Sequence, residues 1–202
     1  NAGPQHSQCL EAWFAHVPGL KVVMPATPYD VKGVLKSAIR DDNPVIVVEN
    51  KALHALKGEI PEDEYLVPIG KADIKKPGRD VTVVATSRMV HEALKAAASL
   101  ADEKIDIEVL DLISISPWDR EAVFNSVSRT HRLVVAHEAV RQCGIGAEIT
   151  ASVCEEIMDE LDGPVQRVGA PFVPIPFSME HAYLPNASDV VTAVKKALDR
   201  SF

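Results

Sequence analysis

Read for the spacing of apolar residues, the chain alternates short apolar runs with longer stretches in which apolar positions recur every three or four residues. Residues 20–24 form such a run. Val31, Val34, Leu35 and Ala38 then repeat at helical spacing, and residues 44–49 are apolar and β-branched. The pattern predicts strand, helix, strand, with Pro28 near the helix start, where its missing N–H is no loss. Residues 9–15 predict a short helix ahead of that unit.

Between residues 51 and 79 the periodicity dissolves among Gly58, Pro61, Pro68, Gly70, Pro77 and Gly78. This stretch predicts a linker, with room for one edge strand within residues 65–72 ending at Gly70. Beyond it, strands are expected over residues 80–85, 105–110, 133–136 and 165–168. The intervening helices include one whose face carries Met89, Val90, Ala93, Leu94, Ala97 and Leu100, another over 119–128 and a third over 144–161 with Ile145, Ile149, Val153 and Ile157 four apart. Val190, Val191, Val194 and Leu198 mark a closing helix. Near-continuous apolar strands separated by amphipathic helices predict an α/β fold with a mainly parallel sheet covered on both faces. Residues 80–202 suffice for a small α/β domain, whereas residues 1–50 hold too few strands, so the chain is expected to begin inside a fold.

Composition narrows the picture. The chain has 202 residues, 47% of them hydrophobic and 25% charged, which is the balance of a globular protein. No apolar run approaches the roughly 20 residues of a bilayer span, and the first residues have neither the basic nor the apolar region of a secretory leader. A net charge of -8 excludes a general polyanion binder, so nucleic acid is not an expected partner. Cys9, Cys143 and Cys154 are widely spaced and odd in number, which predicts reduced thiols in or near the core of a cytoplasmic protein.

There is no Walker spacing, dinucleotide fingerprint, nucleophile elbow or paired Cys-x-x-Cys. Gly144-Ile145-Gly146 opens a helix after a strand and predicts a tight turn rather than an anion site. His137-Glu138-Ala139 is expected to close a strand and touch a neighbouring subunit. His16, His54, His91, His131 and His181 lack metal-ligand spacing and receive no chemical role. Gly3-Pro4-Gln5-His6-Ser7-Gln8 stands apart, because a histidine among amide and hydroxyl groups can be held in one tautomer and move protons near neutrality. On local chemistry alone, a helix-capping loop is the favoured reading of the same residues.

A resemblance extends this reading. The Gly3 to Gln8 run, then Glu11-Ala12-Trp13-Phe14 and His16-Val17-Pro18-Gly19-Leu20-Lys21-Val22-Val23, resemble β subunits of the thiamine-diphosphate-dependent 2-oxoacid dehydrogenases, namely pyruvate, branched-chain 2-oxoacid and acetoin dehydrogenases. Ser37-Ala38-Ile39-Arg40-Asp41-Asp42-Asn43-Pro44-Val45, Pro68-Ile69-Gly70-Lys71-Ala72, Ser87-Arg88-Met89-Val90 and Pro174-Ile175-Pro176-Phe177-Ser178 agree in the same order.

The resemblance implies that residues 1–50 are the C-terminal part of a pyrimidine-binding α/β domain, 51–79 a linker and 80–202 a transketolase C-terminal-like domain. It implies an oxidoreductase subunit of an α2β2 assembly that decarboxylates pyruvate or a related 2-oxoacid and transfers the acyl group to lipoamide. His6 would be the catalytic residue, while thiamine diphosphate and Mg would be held mainly by the α subunit. Other implied partners are a second β subunit, the lipoyl domain and the peripheral-subunit-binding domain of the acyltransferase core. Potassium would bind at Ala38, Ile39, Asp41 and Asn43 through oxygen ligands, although a plain helix end capped by Asn43 explains the same residues. The family's activating glutamate has no counterpart in these residues, so the chain alone would be incomplete for catalysis. Two alternatives stay open: Lys57-Gly58-Glu59-Ile60-Pro61-Glu62 resembles acetoin dehydrogenase β subunits, and a truncated, non-catalytic assembly module would carry the same residues.

Overall fold

A computed structural model describes residues 3–199. Asn1 and Ala2, within the stretch read for a leader, and residues 200–202, at the end of the expected second domain, lie outside the described residues. The elements in chain order are α1 (Glu11–Ala15), β1 (Lys21–Val23), α2 (Pro28–Ile39), β2 (Val45–Val47), a 3-10 turn (Lys51–Leu53), β3 (Asp73–Lys76), β4 (Val81–Ala85), α3 (Arg88–Ala101), β5 (Ile107–Asp111), β6 (Ser114–Ser116), α4 (Arg120–Thr130), β7 (Leu133–Val140), α5 (Ile145–Ile157), β8 (Gln166–Ala170), α6 (Glu180–Tyr183) and α7 (Ala187–Leu198).

Five strands form the larger sheet, in the order β3-β5-β4-β7-β8. The strands β5, β4, β7 and β8 run parallel, and β3 joins the edge antiparallel to β5. Alternation along β4 sends Val81, Val83 and Ala85 toward α3 and α7, where they pack with Met89, Leu100 and Val194. Val84 faces the opposite layer with Leu110, Val123, Val135 and Ile149, under α4 and α5. Thr82 is polar in that layer, and its hydroxyl is satisfied by Ser126 and Thr130 of α4 at 3.2 and 2.8 Å. The α/β expectation with a covered, mainly parallel sheet therefore holds.

The smaller sheet has the order β2-β1-β6, with β2 parallel and β6 antiparallel to β1. Its third strand is supplied from beyond β5, a three-residue serine-flanked element without periodicity for a sequence reading to find. Thr27 caps α2 by accepting from the Asp30 amide, and Pro28 stands in the first turn, where the pattern placed it.

Two expectations need correction. Residues 65–72 form no strand; they run across α2, where Tyr65 stacks on Tyr29 and the Val67 carbonyl accepts from the Ser37 hydroxyl. The edge strand is Asp73–Lys76 instead, inside the expected linker, because a free edge of β5 is available there and lysines suit an outermost strand. Cys143 is exposed rather than near the core, in the turn between β7 and α5, whereas Cys9 and Cys154 are half-buried.

Candidate functional site

In the larger sheet the chain moves from β4 to β5 on one side and then to β7 on the other, so the order of connection reverses between β4 and β7. Such a reversal leaves a crevice outside the carboxyl ends of the two strands. Arg88 opens α3 just after β4, and Glu138 lies near the end of β7. The Arg88 Nε donates to Glu138 Oε2 at 2.6 Å, and its Nη2 donates to the Pro185 carbonyl at 2.6 Å. Asn50, which caps the turn after β2, donates from Nδ2 to the same Glu138 oxygen at 3.1 Å. One carboxylate thus joins the carboxyl ends of strands from both sheets.

Above this triad is a cavity of about 470 Å³ whose lining includes His6, Ser7, Asn50, Arg88, Glu138 and Glu180. The loop carrying His6 is folded by Gly3, whose φ of 71° favours glycine and whose carbonyl accepts from the His6 and Ser7 amides at 3.2 and 3.1 Å. A Cβ at Gly3 would also stand 3.0 Å from the Phe177 ring. The His6 side chain is exposed, free to meet a ligand in the cavity. Behind it the Ser7 hydroxyl and both Glu11 carboxyl oxygens are buried without a hydrogen-bond partner. Burial, opposed by Cys9, pushes the Glu11 carboxyl up. Burial and neighbouring Glu11 push the Cys9 thiol up, so it stays protonated and is no nucleophile.

His137 corrects the reading that made it a strand-end subunit contact. The strand continues to Val140, and the ring is fully buried. Added Cβ atoms at Gly144, Gly146 and Gly169 would stand 2.6, 2.9 and 3.1 Å from it, so these glycines make room for an imidazole. Its Nδ1 faces the Ala139 carbonyl at 3.1 Å, and burial holds its pKa down at about 4, keeping the ring neutral. His91 is likewise a tie, with Nε2 2.8 Å from the Ala26 carbonyl.

At the end of α2, Ala38 and Ile39 lie in the last helical turn, and the Ala38 carbonyl accepts from the Asp41 amide at 3.3 Å. Asp41 Oδ1 accepts from both nitrogens of Asn43 at 2.9 and 3.0 Å, and Oδ2 pairs with Lys21 at 2.5 Å. The Lys21 hydrogen bond holds the Asp41 carboxyl at a pKa of about 2. His6 and these four residues are thus in separate places. The sequence reading missed Asn50, Arg88 and the pairing of Glu138; for Arg88 and Glu138 the available signal was a charged residue two or three positions past an apolar run on either side of the chain reversal.

Comparison with known proteins agrees with this architecture. Residues 70–190 match the model of the transketolase C-terminal domain, and residues 1–56 match that of the transketolase pyrimidine binding domain. The acetoin:2,6-dichlorophenolindophenol oxidoreductase subunit beta of Bacillus subtilis is 46% identical over 98% of this chain and 58% of its own length. The pyruvate dehydrogenase E1 component subunit beta of Porphyra purpurea is 45% identical over 98% of this chain and 61% of its own. The chain therefore spans about three fifths of these relatives. A solved structure described as a split gene transketolase, inactive beta4 tetramer, superposes with a TM-score of 0.82 at 29% identity, covering 96% of this chain and 63% of that one.

Proposed function

This chain belongs to the transketolase C-terminal domain family, with relatives among the β subunits of pyruvate and acetoin dehydrogenases, and on that premise we propose that it serves as the β subunit of a thiamine-diphosphate-dependent 2-oxoacid dehydrogenase acting on pyruvate in the cytoplasm. The observation that carries the proposal is the exposed His6 on the wall of a cavity of mixed polar and apolar lining at the carboxyl ends of both sheets.

The cavity fits one flank of such a cofactor: His6, Gln8 and Asn50 offer imidazole and amide groups, and the buried Ser7 hydroxyl has a hydrogen bond still to make. Thiamine diphosphate, when bound, supplies the carbanion chemistry, and its diphosphate and Mg fall to an α subunit. His6 moves a proton at an imidazole nitrogen and orients the acyl group as it passes to a lipoyl arm. Asn50, Arg88 and Glu138 hold the floor of the cavity beneath it. The lipoyl domain, a second β subunit and the peripheral-subunit-binding domain of the acyltransferase core are the further partners of this reading. Potassium at Ala38, Ile39, Asp41 and Asn43, held through oxygen ligands, belongs to it too.

Acceptor reduction with pyruvate, measured for the full-length subunit with an α subunit added, tests the proposal. His6→Ala should leave assembly intact and lower lipoyl acylation at least about a hundredfold, the scale of general acid–base catalysis; undiminished turnover removes His6 from the mechanism. Cleavage of acetoin in place of pyruvate would move the chain to the acetoin enzymes, which the 46% identity to the Bacillus subtilis subunit favours as second reading. An assembly module without turnover is favoured by the inactive tetramer of similar fold. An intact mass of 21.9 kDa together with absent activity would select it.

A further inference from the structure

A charged cluster away from the cavity sits where the chain passes from one sheet to the other. Asp73 of β3 and Asp111 of β5 are paired directly across the two strands, a repulsive arrangement for like charges. Lys75 falls at the irregular step of that pairing, between Ile74 and Lys76, and its ammonium reaches both carboxylates. Its Nζ is 2.8 Å from Asp73 Oδ2, 2.9 Å from Asp30 Oδ2 on α2, and 3.8 Å from Asp111 Oδ2. One ammonium therefore serves three carboxylates from three elements. The Asp111 side chain is fully buried, and those of Asp30 and Lys75 are 2% and 14% exposed.

Asp111 also fixes the joint between the sheets. Its Oδ1 accepts from the Ile113 amide at 3.1 Å, while Oδ2 has no hydrogen-bond partner. Ile113 has a φ of 52°, a left-handed conformation that a β-branched residue adopts only when its surroundings impose it. The Ile113 carbonyl accepts from the Met24 amide at 2.7 Å, and the next residues are β6, which pairs with β1. The 112–114 turn is thus the hand-over between the two sheets.

We propose that this cluster is a proton-operated joint, in which Asp111 holds a proton while the sheets are docked and releases it when the 112–114 turn opens, so that alkaline conditions loosen the contact between the sheets. Asp30, which is buried, and Asp73, whose side chain is 56% exposed, already outnumber the single ammonium, and a second fully buried negative charge at Asp111 would stand with an unsatisfied oxygen. A neutral carboxyl keeps Oδ1 as the acceptor for Ile113. The groups facing Asp111 are Lys75, Asp30, Asp73 and the Ile113 amide. Burial raises the Asp111 pKa to about 8, opposed by Lys75 and reinforced by Asp30 and Asp73. Burial disfavours the Lys75 ammonium, but its bonds to Asp73 and Asp30 outweigh that and keep it charged. The native state keeps a proton that the opened state releases, so opening becomes easier as pH rises from the ordinary carboxylate range to about 8 and then levels off.

Hydrogen exchange of the Met24 amide, corrected for its intrinsic rate, tests this joint. Between about pH 6.5 and 8.5, where the second half of an ordinary histidine's titration alters an opening equilibrium by only about twofold, protection should fall roughly tenfold or more in the native chain. In Asp111→Asn, which keeps the Oδ1 acceptor, it should stay within about twofold, since no proton is left to release. An equal loss in both proteins, or none in the native chain, overturns the proposal. Should the variant not fold, a carbon-13 titration of the Asp111 carboxyl in the native chain decides: a midpoint above about 6.5 supports the joint, and one at or below that value overturns it.

Discussion

The strands β4 and β2 have similar sequences, Val81-Thr82-Val83-Val84-Ala85 against Val45-Ile46-Val47, yet all five residues of the first are buried and all three of the second are only half-buried. The difference is one of neighbours. β4 lies between β5 and β7 with helices on both faces, whereas β2 is paired along one side only and ends the smaller sheet. Composition fixed how apolar each strand is, and topology fixed how much of it leaves the water. The candidate cavity is built where the larger sheet meets the smaller one beyond its lightly covered end strand.

The widest separation between the two regions should come from emptying their cores. Leu110→Ala, at a fully buried position under α4, should cost about 2–5 kcal/mol in urea unfolding. Val47→Ala on the smaller sheet should cost no more than about 1–2 kcal/mol, because less area is lost. Equal losses would break the comparison. Next in size is the link between the regions: Arg88→Ala strands the Glu138 carboxylate, which is 16% exposed, and should cost about 2–4 kcal/mol. A double-mutant cycle with Glu138→Gln checks that the loss belongs to the pair.

Acid should act on the larger sheet through His137. Its ring is neutral when folded down to about pH 4, while an unfolded chain protonates it near its ordinary value, about 6.5. Stability from this group is therefore full above pH 6.5 and lost as pH falls toward 4. Asp111 works in the opposite direction over that range, so the acid loss is read in the Asp111→Asn background, by urea midpoints at several pH values. A flat acid limb there would mean that His137 becomes charged without unfolding.

Smaller effects sharpen the boundary. Asn186 caps α7 in a reciprocal arrangement with Asp189, and Asn186→Ala should lower stability by about 1 kcal/mol in the same unfolding assay. The half-exposed pair of Lys195 with Glu103 joins α7 to the turn after α3 at 2.7 Å, and Lys195→Ala should change stability by no more than about 0.5 kcal/mol.

The helices α2, α3, α5 and α7 and the inner strands were legible because each repeats its own apolar period over enough residues to exclude the alternative. β3 and β6 were not, since three or four mostly polar residues with a single isoleucine become a strand only when a free edge is presented to them. His6 was marked by its motif. Its setting was not: Asn50, Arg88 and Glu138 lie far apart along the chain, and nothing local tells any of them about the others.

Local pattern, then, determined the α/β class, the inner strands, the covering helices and the kinship of the Gly3 to Gln8 run, because periodicity and motif are written in adjacent residues. Tertiary structure alone decided that Asp73–Lys76 and Ser114–Ser116 are strands, that His137 is a caged neutral ring, that Asp111 lies beside Lys75 without a hydrogen-bond partner for its second oxygen, and that a cavity opens beside His6. These depend on contacts between segments dozens of residues apart, and the energy of such a contact exists only once the sheets have brought both partners together.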